Sequence, residues 1–208
     1  MDSEYRQMQQ ILGGERGLLG GNEIVLWRSG IGKVNAALGT QQLILEEKPD
    51  CIINTGVAGG IDCDERVMDI VVAEACAYHD VWCGEPNAKG QVQGMPERFA
   101  CDPELVAKAR PFAQHTGLLL TGDQFLTHEE KLRQIKADFP DGLAVDMESC
   151  AIAHTCHIHR IPFLAIRILS DIPAAAKTTA DDIAQYRDFW DLMADRSFLT
   201  IKQFLEIL

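Results

Sequence analysis

The chain has 208 residues, a formal net charge of −12 and 47% hydrophobic residues. That length suits one domain over residues 1–208, and a chain of this size buries roughly 70% of its unfolded surface without disulfide or metal staples. The acidic balance disfavours nucleic acid and anionic membranes as partners, since both demand basic surface.

Apolar runs of strand length alternate with longer helical patterns along the chain. A helix is expected over residues 3–12, a strand over 23–28, a helix over 33–46, and strands over 51–55 and 69–75. Residues 82–98 carry Gly84, Pro86, Gly90, Gly94 and Pro96, the composition of a long lid or binding loop. A helix over 103–114 follows, with Asp102 as its cap and Pro103 at its first position. Next come a strand over 117–121 and a helix over 128–138, which opens on the capping-box pattern of Thr127 and Glu130. A strand over 142–146, a helix over 147–159 and a strand over 163–169 complete the alternation, with Pro162 stopping the helix before the last strand. A final helix, broken somewhere, spans 180–207. This order predicts a three-layer α/β fold with a mixed, mostly parallel sheet.

The cysteines at 51, 63, 76, 83, 101, 150 and 156 are odd in number and not closely paired, a poor disulfide framework. Several sit in apolar runs, so they read as reduced and structural. No signal peptide opens the chain and no apolar run approaches the ~18 residues of a membrane span, which makes the cytoplasm the default location.

Two apolar runs end abruptly in carboxylates: Asp146 and Glu148 after 142–145, and Ser170 and Asp171 after 163–169. Ligands collect at the carboxyl ends of strands in open α/β sheets. Asp146 and Glu148 read either as helix-dipole partners or as acceptors for vicinal hydroxyls such as a ribose offers. Asp171 reads either as a cap or as a desolvated acid with a raised pKa, suited to proton donation. Two glycine-rich turns, Ser29-Gly30-Ile31-Gly32-Lys33 and Asn54-Thr55-Gly56-Val57-Ala58-Gly59-Gly60, are either tight turns or places of close backbone approach to a ligand. His154, His157 and His159 lie near Cys150 and Cys156, but no third ligand or His-Glu-x-x-His pattern supports a metal; packed or surface histidines fit better.

Taken in order, the segments at 29–37, 54–60, 78–80 (Tyr-His-Asp), 121–125 (Thr-Gly-Asp-Gln-Phe), 144–148 (Ala-Val-Asp-Met-Glu) and 167–171 (Arg-Ile-Leu-Ser-Asp) resemble the 5'-methylthioadenosine/S-adenosylhomocysteine nucleosidases of the nucleoside phosphorylase superfamily. The resemblance spans nearly the whole chain. It implies Asp171 as the acid that protonates purine N7, supported by Ser170 and Arg167. It implies Glu148 and Met147 on the ribose, Phe125 stacked on the purine, Leu126 offering main-chain hydrogen bonds, and Glu4 positioning water. Val145 and Val57 are implied neighbours of the substrate. Val57 stands where many relatives carry a small hydroxyl residue, so one polar contact near the sugar is lost. No cofactor or metal is implied; the partners are a purine nucleoside and a second copy of the chain, which lends an apolar lid residue. Relatives begin with a short strand before the Met-x-x-Glu segment, here Met1 to Glu4. The sheet is therefore expected to lack its first strand and Glu4 to be poorly anchored.

Three other functions compete. A phosphate-dependent phosphorylase would have an arginine and a serine where Asn54 and Val57 stand. A futalosine hydrolase would differ in the pocket for the 5' substituent, expected between residues 173 and 190 with Ile183, Tyr186 and Phe189 as apolar candidates. A purine-binding homologue without turnover would follow from the missing strand.

Overall fold

The structure, a computed structural model, describes residues 2–62, 64–127, 129–173, 179–192 and 194–208. Expectations placed on Met1, Cys63, His128 and the 174–178 stretch lie outside the described residues. The elements run α1 (Asp2–Leu12), β1 (Arg16–Leu19), β2 (Asn22–Val25), α2 (Lys33–Glu47), β3 (Ile52–Gly60), β4 (Ile70–Tyr78), β5 (Phe99–Ala100) and α3 (Pro103–Ala109). A 3-10 turn (Arg110–Phe112) leads to β6 (His115–Thr121), α4 (Glu129–Asp138), β7 (Gly142–Asp146), α5 (Ser149–His159), β8 (Phe163–Asp171), α6 (Thr179–Leu192) and α7 (Ala194–Leu205).

All nine residues of β8 are buried, as a continuous apolar run covered on both faces requires. The main sheet has the order β5-β4-β6-β7-β3-β8, and β8 also pairs with β4, so five strands close into a ring. The β3–β8, β4–β6 and β6–β7 pairs are parallel; β3–β7, β4–β5 and β4–β8 are antiparallel. This is the expected three-layer α/β fold with a mixed sheet. Among the described residues α1 precedes every strand, and β1 and β2 form a separate hairpin.

Several boundaries differ from expectation for local reasons. The glycine-rich run after residue 55 stays extended, because β3 keeps its pairing with β8 as far as Gly59. The helix at 147 starts two residues later, since Asp146 accepts hydrogen bonds from the N–H groups of Glu148 and Ser149. The helix from 103 ends in the 3-10 turn at Arg110-Pro111-Phe112. Its start is as expected, with the Asp102 carboxylate accepting from the N–H groups of Glu104 and Leu105, both at 3.0 Å. The short strands β1 and β5 were not expected.

One register shift positions the site. Ala58 pairs with Leu169 but Gly59 pairs with Asp171, so Ser170 is left without a partner across β3. Such a bulge re-aims the side chains that follow it.

On the other side of the same strand end, Glu65 is only 6% exposed. Its Oε2 accepts from the Asp62 N–H at 2.9 Å, and its buried Oε1 has no hydrogen-bond partner among the described residues. Burial pushes its carboxyl up to about 7, against the pull of the Asp62 N–H, His115 and Lys136. Between about pH 4.5 and 7 the unfolded chain releases this proton while the folded chain keeps it, so this group's contribution to stability falls as pH rises through that window. Glu65→Gln is expected to flatten the pH dependence of urea-unfolding free energy across the same interval. A slope equal to that of the parent chain would show that Glu65 does not set it.

Candidate active site

Glu4 and Asp171 both meet β3, and Glu148 lines a hollow together with Glu4. Glu4, in the first turn of α1, accepts from the Val57 N–H at 2.9 Å. A Cβ on Gly56 would lie 2.5 Å from both Glu4 Oε1 and Arg167 Nη1, so that glycine makes room for a carboxylate and a guanidinium. Three residues further on, roughly 10 Å along an extended strand, a Cβ on Gly59 would lie 3.2 Å from Asp171 Oδ2. Asp171 is buried, and its Oδ1 accepts from Ser170 Oγ at 2.5 Å. Glu148 makes no cap for α5; its Oε1 instead reaches across to accept from the Gly32 N–H at 2.9 Å.

Tyr186 lies on α6. Burial pushes its phenol up, and the charges of Glu4, Asp171 and Glu148 all add to the push. Glu148 is likewise pushed up by burial and by the Asp146 charge, while Arg167 and the Gly32 N–H pull the other way. A carboxylate so placed is a good acceptor for neutral hydroxyls.

Beneath these acids lies a buried polar hub. Asp146 accepts from Thr121 Oγ1 at 2.6 Å, from Arg167 Nε at 2.9 Å and from Ser149 Oγ. Ser149 Oγ accepts in turn from Asn54 Nδ2 and Arg167 Nη2, both at 2.9 Å. Thr121 Oγ1 accepts from the Cys150 N–H at 2.9 Å. Side chains from β3, β6, β7, β8 and α5 thus share one network. Arg167 is 3% exposed; burial opposes its charge, but Asp146, Glu148 and Glu4 raise its pKa on balance.

Arg167 therefore corrects one expectation. Its guanidinium is taken up by Asp146 and Ser149 and lies beside Glu4, while Asp171 accepts from Ser170. The expectation of a poorly anchored Glu4 is corrected too, since the Val57 N–H holds it. Phe125 is 57% exposed and meets Tyr186 edge-on, with ring centroids 6.1 Å apart. Leu126 and Val145 are buried in the smaller core cluster with Leu120, Leu132 and Phe139. Met147 is partly buried between the two acids of its segment, and Val57 packs against the main core. Of the residues expected around a 5' substituent, Tyr186 is at the acids and Ile183 is exposed, but Phe189 is fully buried and packs edge-on against Trp190.

Residue-type reasoning passed over Asn54, Thr121, Ser149, Lys33, Asp80 and Asp123. All but Ser149 lie inside the quoted segments, yet their partners are far away in sequence. Of the histidines near Cys150, His154 stacks on Phe99 at 4.5 Å, with its Nδ1 3.2 Å from the Tyr78 hydroxyl, while His157 is exposed. Among the described residues no cluster of His, Cys, Asp or Glu is arranged to hold a metal, and no helix is long and apolar enough to cross a membrane.

A hollow of about 540 Å³ runs from Glu4, Glu148 and Arg167 between residues 22–30 and 51–55 toward Leu205 and Leu208. Thr55 Oγ1, on its wall, is buried without a hydrogen-bond partner among the described residues.

This ring of strands with acids at its end defines a class. A family model described as the phosphorylase superfamily matches residues 11–206. Relatives narrow the class. The chain is 46% identical over 162 residues to the 5'-methylthioadenosine/S-adenosylhomocysteine nucleosidase of Actinobacillus succinogenes, a match covering 74% of this chain and 70% of the relative. It is 44% identical over 179 residues to that of Chromohalobacter salexigens, covering 81% and 76%. The solved structure of the Neisseria meningitidis nucleosidase in complex with methylthio-immucillin-A has a TM-score of 0.91 at 34% identity, covering 100% of this chain and 96% of that one. The chain belongs to the 5'-methylthioadenosine/S-adenosylhomocysteine nucleosidase family of the phosphorylase superfamily.

The hub makes a direct prediction about stability. Asp146→Ala leaves the buried Arg167 without its main counter-charge, which is expected to cost about 3–5 kcal/mol in urea unfolding. A loss below about 1 kcal/mol would mean that Glu4 and Glu148 suffice to neutralise the guanidinium.

Proposed function

We propose that residues 1–208 act as one nucleosidase domain that hydrolyses the N-glycosidic bond of 5'-methylthioadenosine, S-adenosylhomocysteine or both, releasing adenine. One observation carries the reading: Glu4 and Asp171 both press against β3, at Gly56 and Gly59, and Glu148 lines the same hollow as Glu4. Asp171 donates a proton to purine N7, which turns a poor anionic leaving group into neutral adenine. Ser170 holds Oδ1 of that carboxyl, and Gly59, lacking a side chain, leaves Oδ2 approachable. As the C1'–N9 bond breaks, the sugar gains oxocarbenium character, and the nearby carboxylates stabilise it. Glu148 accepts from the ribose hydroxyls. Glu4 takes a proton from water as its oxygen bonds to C1', so the base gains one proton and the sugar gains hydroxide. Acids held in different protonation states around one substrate perform this kind of chemistry elsewhere. Phe125 stacks on the base, Leu126 supplies main-chain contacts to its edge, and Met147, Val145 and Val57 line the nucleoside.

Water is favoured over phosphate by the occupancy of the donors. The Asn54 amide is engaged on Ser149 and the Val57 N–H on Glu4. Arg167 is already matched by Asp146, with Glu4 and Glu148 close by. A phosphate dianion there would meet two carboxylates and few unengaged donors. A strict phosphate requirement for adenine release would favour the phosphorylase instead.

Asp171→Asn is expected to abolish adenine release from methylthioadenosine while calorimetric binding of the nucleoside survives; turnover equal to the parent chain would remove Asp171 from the mechanism. Binding without adenine release by the parent chain would support a silent purine-binding protein, and preference for a 6-substituted nucleoside would support the futalosine reading.

The reading includes a cytoplasmic homodimer. Ile31, Val34, Leu38 and Leu45 are all exposed, and the three on α2 share a helical face, a patch suited to self-association. Sedimentation at micromolar concentration is expected to give a dimer, which Leu38→Glu weakens; a monomeric parent chain would count against it.

A further inference from the structure

Three loops are tied together just outside the acids. Lys33 Nζ donates to both Asp80 carboxylate oxygens, each at 2.8 Å. Asp80 Oδ2 also accepts from the Asp123 N–H at 2.9 Å. Asp123 Oδ1 closes the circuit by accepting from the Lys33 N–H at 2.7 Å. The side chains of Asp80 and Lys33 are 13% and 23% exposed, so the pair is less screened than an ordinary surface ion pair. The residue before Lys33 is Gly32, whose N–H donates to Glu148 Oε1.

We propose that Asp80 is a positioning residue for the sugar-binding carboxylate, acting through Lys33 and Asp123 to hold the Gly32 N–H on Glu148. This rests on the reading of Glu148 as the ribose acceptor. Gly32 has φ +87, and a Cβ there would lie 3.0 Å from Asp123 Oδ1. The backbone at this point is thus left-handed and pressed against the circuit. A left-handed glycine is mobile unless its neighbours fix it, and here the fixing contacts fall on the next residue. With Oε1 occupied by the Gly32 N–H, the rotation of the Glu148 carboxylate is set and Oε2 is directed to the sugar. Burial works against the charged form of Asp80, but the Lys33 and Asp123 hydrogen bonds and the Lys33 charge hold its carboxyl below the usual range. Asp80 therefore stays charged at neutral pH.

The test pairs Asp80→Asn with a substrate that lacks the gripped groups. On methylthioadenosine, KM is expected to rise roughly tenfold with kcat little changed, the lower end of what outer partners of a ligating group contribute. On the 2',3'-dideoxy analogue, Asp80→Asn and the parent chain are expected to have the same kcat/KM, because there is no hydroxyl to position. Equal losses on both substrates would mean a general effect on folding and would overturn the proposal, as would no loss on methylthioadenosine. Asp123→Asn, at a more exposed position, gives the same readout should Asp80→Asn fail to fold. Glu148→Gln separates the two levels: if it leaves discrimination between the two substrates intact, the ribose role of Glu148 fails, whatever Asp80 does.

Discussion

The fold and the site both depend on the buried pairing of Arg167 with Asp146. A guanidinium inside a closed ring of strands is costly unless its charge is matched and its N–H groups are satisfied. Asp146 supplies the charge, and Ser149 takes the remaining bond from Nη2. Because Asp146 also ties Thr121 and the start of α5, the pair joins the C-terminal ends of β6 and β7 to the middle of β8. The cationic end then reaches the neighbourhood of Glu4.

The site is built by displacement from regular geometry at a few positions. The register shift at Ala58 and Gly59 brings Asp171 opposite Gly59. Glycine at 56 and 59 admits charged groups to within contact of the β3 backbone. The N-terminus of α5 is capped by Asp146 and not by Glu148, which leaves Glu148 available to another segment. Each departure costs the local element little, because the nine buried residues of β8 hold the sheet in place.

Much of this could be read from residue patterns. The run 142–146 was assigned its observed bounds, since turn residues precede it and a carboxylate ends it. The Asp102 cap followed from local chemistry. The two short strands were invisible because four and two residues carry no period. Ring closure by β4 and β8 could not be seen either, because antiparallel pairing between Val71 and Arg167 joins residues far apart in the chain. Arg167 illustrates the limit of family resemblance: its place in the Arg-Ile-Leu-Ser-Asp segment suggested service to Asp171. Its position four residues earlier on a fully buried strand puts it instead against the hub. Asp80 stood in a quoted segment with no role, since its meaning lies in partners at 33 and 123.

Closing five strands on themselves has a bearing on how the molecule behaves in a crowded solution. An open sheet of this size would present two long rows of unsatisfied amides to any passing chain. Here the outer border of the main sheet is the two-residue β5, too short to template a neighbour. The detached β1–β2 pair also has strand edges, and charged Arg16 and Glu23 stand on it as gatekeepers.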